Sequence, residues 1–188
     1  MGCGVGYFTA IMAEMVGRSG SVIASEIDAE LAARASANLA GYANVSIHSG
    51  DGADFDPGDC DAILINAGVT HPQPRWLERL SVGGNLALPL TVAAGMGMGA
   101  NLGKGVMASI TRQANGFSAN IVSFVAIYSC VGMREAHLEQ ALSKAMGTGK
   151  LFKLLSLRRD FHEPTDACIV HGADLCFSSE EMGARVAA

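Results

Sequence analysis

The sequence predicts an α/β fold with a mostly parallel sheet, and three observations lead to that prediction. Short apolar, β-branched runs alternate with helical patterns along the first half of the chain, which is typical of βαβ units around a parallel sheet. The 188 residues are 49% hydrophobic and only 16% charged, enough to bury a full core in one domain. The 23 glycines follow no triplet repeat, so they indicate many tight turns and exclude a collagen-like chain.

The predicted helices in the first half of the chain have recognisable starts and stops. A glycine-rich start leads into a helix over 8–15. Asp28 is a good N-cap for a helix over 29–40, and Gly41 suits its end. The other predicted elements are strands over 21–26, 45–49, 62–66 and 85–90, and a helix over 75–80 that is expected to stop at Gly83-Gly84.

The second half of the chain is predicted to contain more antiparallel pairing. A loop over 93–105 is rich in glycine and methionine, including Met96 and Met98. Asn115-Gly116 then separates two long apolar runs, which is a strong hairpin signal. The elements predicted after the loop are strands 106–113 and 117–128, a helix over 134–146, a segment 151–157 that fits strand or helix, and a hairpin around Ile169 and Val170.

Composition also excludes several classes of partner. The formal charge of −5 and the pI near 5.5 argue against nucleic-acid binding. Two charge-poor stretches, 80–102 and 114–133, are interrupted by glycine, asparagine or proline, so they read as strands and loops rather than membrane spans. Five cysteines at irregular spacings, with no signal-peptide pattern, predict reduced thiols in a cytoplasmic protein. The mean hydropathy of +0.28 is also compatible with the apolar interface of a homo-oligomer.

The chain opens on a glycine loop, Gly2-x-Gly4-x-Gly6, followed by a predicted helix. Glycines there allow a tight turn and let backbone N–H groups approach a ligand near a helix N-terminus. A dinucleotide-binding loop has its third glycine one residue later, where this chain has Tyr7. The spacing is similar instead to the loop of class I S-adenosylmethionine (SAM) methyltransferases.

Three further polar positions follow the next predicted strands in order. Glu26 ends the strand after the loop, where a carboxylate accepts hydrogen bonds from both ribose hydroxyls of a nucleoside. Asp51-Gly52 offers a carboxylate and an unobstructed backbone to which an adenine can bind. Asn66 lies at the carboxyl edge of the predicted sheet, where open α/β sheets bind ligands. Taken alone, Glu26 is equally well explained as a solvated residue at a strand end. Asp51-Gly52, taken alone, is equally compatible with a simple turn. Together with the glycine loop they indicate a cofactor site.

Five segments together resemble the protein-L-isoaspartate O-methyltransferase family. The similarity covers 2–90 well and the rest of the chain loosely. It implies a Rossmann-like class I methyltransferase fold, SAM as methyl donor, and a carboxylate acceptor on an isoaspartyl protein or peptide, a repair reaction. The segments are GCGVGYFTA, SEID, NVSIHSGDGADF, DAILINAG and LERLSVGGNLALPL.

The resemblance implies a role for each matching residue. By motif, Gly2, Gly4 and Gly6 line the methionine part of SAM, Glu26 holds the ribose, and Ile27 packs on the adenine. Asp51 and Gly52 lie at the adenine edge. Asn66 joins this cofactor-binding set because of its place at the carboxyl edge of the sheet. No catalytic residue is assigned, because methyl transfer to a carboxylate needs mainly proximity and alignment. One domain over 1–188 is expected, with a cofactor-binding half to about residue 92 and a substrate-side half after it.

One departure from the family concerns the start of the fold. The family has a strand before the glycine loop and an acceptor-binding segment before that strand, whereas only Met1 precedes Gly2 here. The first strand is therefore expected to be missing or truncated. Two alternatives stay open: a methyltransferase acting on a small molecule or another protein group, and an inactive remnant that serves as an interaction module.

Four residues near the C-terminus, His162, Cys168, His171 and Cys176, include the residue types of a zinc site. They lack a C-x-x-C pair, and neighbours in a predicted hairpin point to alternate faces. The expectation is therefore no metal, with ordinary strand cysteines. Cys3 is expected to be a small filler of the glycine loop rather than an activated thiol.

Two other sets of side chains have both a functional and an ordinary interpretation. Arg158 and Arg159 suit a clamp for a substrate carboxylate, but a solvated strand end is the better interpretation. His71 follows the ligand edge at Asn66, so a place near the acceptor and a plain loop position are equally supported.

Overall fold

The computed structural model describes residues 1–95 and 101–182, so Met96 and Met98 lie outside the described residues. The chain divides into two compact units, Met1–Gly58 and Asp59–Ala188. The expected single domain with a division near residue 92 stays a prediction.

The first unit is a βαβ-type arrangement that begins with the glycine loop. Its elements are α1 (Tyr7–Val16), β1 (Val22–Glu26), α2 (Ala29–Asn38) and β2 (Val45–Ser49). β1 and β2 pair in parallel, from Val22 opposite Val45 to Glu26 opposite Ser49. All four predicted elements are confirmed, with ends within two residues of the prediction. The Asp28 N-cap is also confirmed, since its carboxylate accepts from the amides of Glu30 and Leu31 at 2.9 and 3.0 Å.

The second unit contains a seven-stranded mixed sheet. Its strand order is β3-β4-β5-β6-β7-β9-β8; β3 and β4 are parallel, and the other pairs are antiparallel. The α/β class is as predicted, but the antiparallel part is larger than one hairpin. The elements are β3 (Cys60–Leu64), α3 (Pro74–Arg79), β4 (Leu80–Ala93), β5 (Leu102–Gln113), β6 (Gly116–Tyr128), α4 (Ala136–Gly147), a 3₁₀ turn (Lys150–Lys153), β7 (Ser156–Arg158), β8 (Cys168–His171) and β9 (Cys176–Ser178).

Glycines in the second unit caused two wrong predictions. Gly83-Gly84 was expected to stop a helix but lies inside β4, and residues 102–105 of the expected loop belong to β5. A Cβ on Gly84 would lie 2.9 Å from the Asp61 carbonyl oxygen, and one on Gly105 would overlap the Leu90 carbonyl. These glycines are required where two strands approach closely, which a sequence cannot distinguish from a loop.

Other element boundaries also differ from their predictions, among them β4, which spans 80–93 where a strand over 85–90 is predicted. Gln113 pairs with Gly116, so the hairpin loop is Ala114-Asn115, one residue earlier than Asn115-Gly116. β3 ends at Leu64, two residues before the predicted end, so Asn66 follows the strand. The ambiguous segment 151–157 contains both alternatives, the end of the 3₁₀ turn and the start of β7.

A half-buried ion pair links the start of α4 to β4. The Arg134 guanidinium donates to Glu139 at 2.7 Å and to the Thr91 carbonyl at 3.1 Å. Burial raises the pKa of Glu139, but hydrogen bonds from Arg134 and the Ala93 amide outweigh this effect and lower the pKa below its ordinary value. Because both charges have several partners, the pair holds the helix on the sheet at little desolvation cost.

Among the described residues, no helix combines the length and the apolar composition needed to cross a membrane.

Candidate functional site

The glycine loop has a backbone that only glycine adopts readily. Gly2, Gly4 and Gly6 have φ values of 73°, 56° and 96°, a left-handed conformation that is costly for other residues. A Cβ on Gly6 would lie 2.7 Å from Leu39 Cδ1, whereas a Cβ on Gly4 would meet no described atom within 4 Å. Gly6 is therefore required by packing inside the unit, and Gly4 faces open space.

The loop is fastened to the carboxyl end of β1. Gly4 donates its amide hydrogen to Glu26 Oε2 at 2.8 Å, and Asp28 donates to Oε1 at 3.2 Å. The Ser25 carbonyl accepts from the amides of Gly2 and Cys3 at 2.9 and 3.1 Å. Glu26 is only 8% exposed, so it is not the solvated strand end that the sequence also allowed. Its carboxylate organises the loop and keeps lone pairs for a further donor.

The glycine loop leads directly into the N-terminus of α1. Gly6 is its N-cap, and no described side chain caps it. The first amides of a ten-residue helix are therefore left for a ligand, and the helix dipole favours an anionic group there. A carboxylate, such as that of an amino-acid ligand, suits this position.

The other predicted residues of the first unit lie at the ends of β1 and β2. Ile27 is 52% exposed, as a side chain that packs on a planar ligand requires. Asp51 accepts from the Ala53 amide at 2.9 Å and begins a turn. A Cβ on Gly52 would collide with Met1 and Ser25. Gly52 is thus required by packing under the turn, a reason different from the one expected.

Sequence reasoning missed two asparagines that support the loop and its helix. Asn38 donates its side-chain amide to the Val5 carbonyl at 2.9 Å, and Asn44 donates to the carbonyls of Ala13 and Gly17 at 3.1 and 2.9 Å. The first holds the loop against α2, and the second closes the C-terminus of α1. Asn38 is at the end of α2, where an asparagine side chain often bonds to backbone groups, whereas Asn44 precedes β2 and has no such signal in the sequence.

Asn66 and His71 lie in the second unit, on the segment that follows β3. Asn66 is half-buried. His71 is 8% exposed, its Nδ1 lies 2.9 Å from Thr70 Oγ1, and its Nε2 lies 3.1 Å from Glu135 Oε1. Burial lowers the pKa of His71 although the Glu135 carboxylate opposes the shift. His71 is therefore a buried residue whose polar contacts reach the half-exposed Glu135, and its place near an acceptor stays a prediction.

The lowered pKa of His71 predicts a pH dependence of stability. Protonation is easier in the unfolded chain, so stability is present above the ordinary pKa of about 6.5 and is lost as the pH falls through the folded-state value. The loss of melting temperature between about pH 7.5 and 5.5 should be smaller in His71→Gln than in the wild type. Replacing the exposed His137 by glutamine is the control. Equal losses in wild type and His71→Gln would contradict the prediction.

The remaining candidate residues are Cys3, the two arginines after β7, and the His/Cys set near the C-terminus. Burial and the Glu26 carboxylate raise the pKa of Cys3, which suits a filler. Arg158 ends β7 and pairs with Asp160, while Arg159 pairs with Glu78 at 3.2 Å. Both guanidinium groups therefore already pair with a carboxylate of this chain. The ligand atoms of the four-residue His/Cys set, in contrast, all lie within 4.8 Å of one another.

Comparison with known proteins decides the family. The sequence model of the family "Protein-L-isoaspartate(D-aspartate) O-methyltransferase (PCMT)" matches residues 1–127. The chain belongs to the PCMT family. Protein-L-isoaspartate O-methyltransferase 1 of Archaeoglobus fulgidus is 37% identical over 94 residues, which cover 48% of this chain and 44% of that protein. The chain spans less than half the length of the curated relatives it matches.

Solved PCMT structures have the same fold. A protein-L-isoaspartate O-methyltransferase matches 78% of this chain and 44% of its own with a TM-score of 0.59 and 21% identity. A Plasmodium falciparum structure described as PCMT, in complex with S-adenosyl-L-homocysteine, matches 68% of this chain and 62% of its own with a TM-score of 0.53 and 20% identity. At these identities the likeness shows the fold alone. It confirms the predicted Rossmann-like α/β fold of class I methyltransferases.

Proposed function

We propose that this PCMT chain is a SAM-dependent O-methyltransferase that methylates the carboxylate of an isoaspartyl residue in a protein or peptide. The observation that carries the proposal is the left-handed glycine loop whose Gly4 amide binds the buried Glu26 carboxylate at 2.8 Å. Family membership and a PCMT relative bound to S-adenosyl-L-homocysteine support it. We propose the cytoplasm as its compartment, which the irregular spacing of the five cysteines favours.

The loop fits SAM in shape and in charge. The open space beside Gly4 admits the methionine part between Gly2 and Gly6, and the uncapped start of α1 suits its carboxylate. Glu26 has lone pairs for the ribose hydroxyls, and the exposed Ile27 offers an apolar surface to the adenine. Asp51 and Gly52 are proposed for the adenine edge. Asn66, which follows β3 in the second unit, stays a cofactor-binding residue predicted from the sequence.

The chemistry that SAM supplies is an activated methyl group on a sulfonium. A carboxylate acceptor is already ionised at neutral pH, so none of this chain's residues has to remove a proton. The protein contributes proximity and alignment, which lower the barrier by fixing the reacting groups in line. The rigid loop, held by five backbone or carboxylate hydrogen bonds among Gly2, Cys3, Gly4, Gly6 and Asp28, suits such a positioning role.

Replacing Glu26 tests the cofactor site directly. Glu26→Ala should weaken SAM binding by about 1.5–3 kcal/mol, the range for hydrogen bonds to a charged group. It should also lower the melting temperature modestly, because the Gly4 and Asp28 amides lose their acceptor. Isothermal titration with SAM is the measurement, and the exposed Glu30→Ala, four residues along, is the matched control. An unchanged dissociation constant in Glu26→Ala would remove Glu26 from the site.

Two assays distinguish the proposed activity from its alternatives. Transfer of a labelled methyl group from SAM to an isoaspartyl peptide, but not to its aspartyl counterpart, is the expected result. SAM binding without this transfer would favour a small molecule or another protein group as acceptor. A chain that binds no SAM would instead be an inactive remnant acting as an interaction module.

A further inference from the structure

Four potential metal ligands converge at the C-terminal edge of the second unit. They are His162, Cys168, His171 and Cys176, and their ligand atoms all lie within 4.8 Å of one another. His162 Nε2 is 3.6 Å from Cys168 Sγ, and the two histidine rings are 4.8 Å apart between centroids. Two thiols and two imidazoles are the donor set of tetrahedral Cys₂His₂ sites.

The strand register explains why these side chains meet although hairpin residues were expected to alternate faces. Cys176 and Ser178 share one face of β9, and they stand opposite His171 and Cys168 of β8. The register shifts between Cys168 and Val170, so one extra residue is inserted there, as in a β-bulge. Cys168 and His171, three positions apart, therefore share a face that regular alternation would deny them.

Hydrogen bonds orient two of the four residues, His162 and Cys168. His162 Nδ1 is bound to the Asp160 carbonyl at 2.9 Å and lies 3.6 Å from its carboxylate, which leaves Nε2 facing the cysteines. Metal-bound histidines characteristically bond through the second nitrogen in this way. The Thr165 amide donates to Cys168 Sγ at 3.3 Å, which holds the sulfur in position.

One ring nitrogen of the cluster, on His171, lacks a hydrogen-bond partner among the described residues. His171 Nδ1 is buried and makes no hydrogen bond to any residue that the structure describes. A buried, unpaired polar atom is costly. A bound metal ion would give this nitrogen a partner.

We propose that His162, Cys168, His171 and Cys176 form a structural zinc site. Zn–S distances of about 2.3 Å and Zn–N distances of about 2.0–2.1 Å place tetrahedral ligands about 3.3–3.8 Å apart, so the present cluster needs only a small contraction. The four protein ligands fill the coordination sphere, which is the mark of a structural rather than a catalytic zinc. The metal fastens the segment before β8 to the short β8–β9 hairpin, whose strands have four and three residues.

Metal content and cobalt spectroscopy test the site without reference to activity. The full 188-residue chain, refolded with Zn²⁺ and desalted through a weak chelator, should retain about one zinc per chain. Co²⁺ in place of zinc should give thiolate-to-cobalt charge transfer and the intense visible bands of a tetrahedral ion. Removal of zinc by a strong chelator should lower the melting temperature by about 5 °C or more.

Matched variants identify the ligands. Cys168→Ser and His162→Gln should each reduce zinc affinity at least about 100-fold, since loss of an outer partner alone costs about 10–100-fold. Cys130→Ser and His137→Gln, which lie outside the cluster, should retain the metal. Cys168 and His162 are only half-buried, so replacing them should not by itself unfold the chain. The cobalt spectrum of the wild-type chain tests the site even if a variant does unfold. A wild-type chain without stoichiometric zinc, or a Cys168→Ser variant that binds it equally, overturns the proposal.

Discussion

Gly4→Val is expected to abolish measurable SAM binding while lowering the melting temperature only slightly. Gly4 has a φ of 56°, where an L-residue costs about 1–2 kcal/mol. No described atom lies within 4 Å of a Cβ at this position, so valine meets no core group but fills the space proposed for the ligand. A backbone shift that relieves the strain would also break the 2.8 Å bond to Glu26. Isothermal titration with SAM, beside a thermal melt, measures both effects.

Gly17 provides a closely matched control. Its φ is 65°, and a Cβ there also has no described atom within 4 Å. Gly17→Val also places a side chain at a positive φ without steric overlap, and its ψ of −163° is one that only glycine adopts readily, but it lies at the other end of α1. It should lose at least as much stability as Gly4→Val and keep its SAM affinity. If Gly4→Val binds SAM as well as Gly17→Val does, the loop is only structural and the cofactor proposal loses its main support.

A version of the chain with an added N-terminal strand is expected to melt more than about 10 °C higher than the 188-residue chain. The amides of Gly2 and Cys3 both bind the Ser25 carbonyl, so residues placed before Met1 would lie beside the end of β1. In the described structure β1 pairs with β2 alone, which leaves one of its edges open. The resemblance to PCMT sequences implies a strand at this place.

The expected size of the effect follows from burial. A strand of about five to six residues buries roughly four apolar side chains, each worth about 1.5–3 kcal/mol. That gain is comparable to the whole stability of a domain, about 5–15 kcal/mol. It also pairs an exposed strand edge, which otherwise promotes aggregation. SAM affinity should rise together with stability, because the added strand ends where the glycine loop begins.

The control is an extension of equal length made of glycine and serine. It adds the same chain but no apolar surface and little strand propensity, so it should leave the melting temperature near that of the unextended chain. The measurements are thermal melts, sedimentation and SAM titration of the three versions side by side. An unextended chain that melts cooperatively as a monomer at the same temperature as the apolar extension would show that Gly2 to Gly6 does not need a preceding strand.

Local chemistry along the chain determined most of the first unit. The Asp28 cap, the parallel runs 21–26 and 45–49, and the glycine loop before α1 were predictable because each depends on neighbours within a few residues. The order of Gly2, Gly4, Gly6, Glu26 and Asp51 indicated a cofactor site for the same reason: successive parallel strands bring their carboxyl ends to one edge. What could not be read was that Glu26 is buried and binds the Gly4 amide, a contact across 22 positions.

Only the tertiary structure decided the meaning of the glycines and cysteines in the second unit. Gly84 and Gly105 resemble loop residues in sequence, but a neighbouring backbone leaves no room for a side chain at either. Cys168 and His171 would point to opposite faces in a regular strand, yet a one-residue register shift brings them together with Cys176 and His162. Sequence by itself fixes periodicity and local conformation. The distance between backbones and the register between strands depend on which segments pack together, and here those two quantities decided which residues share a site.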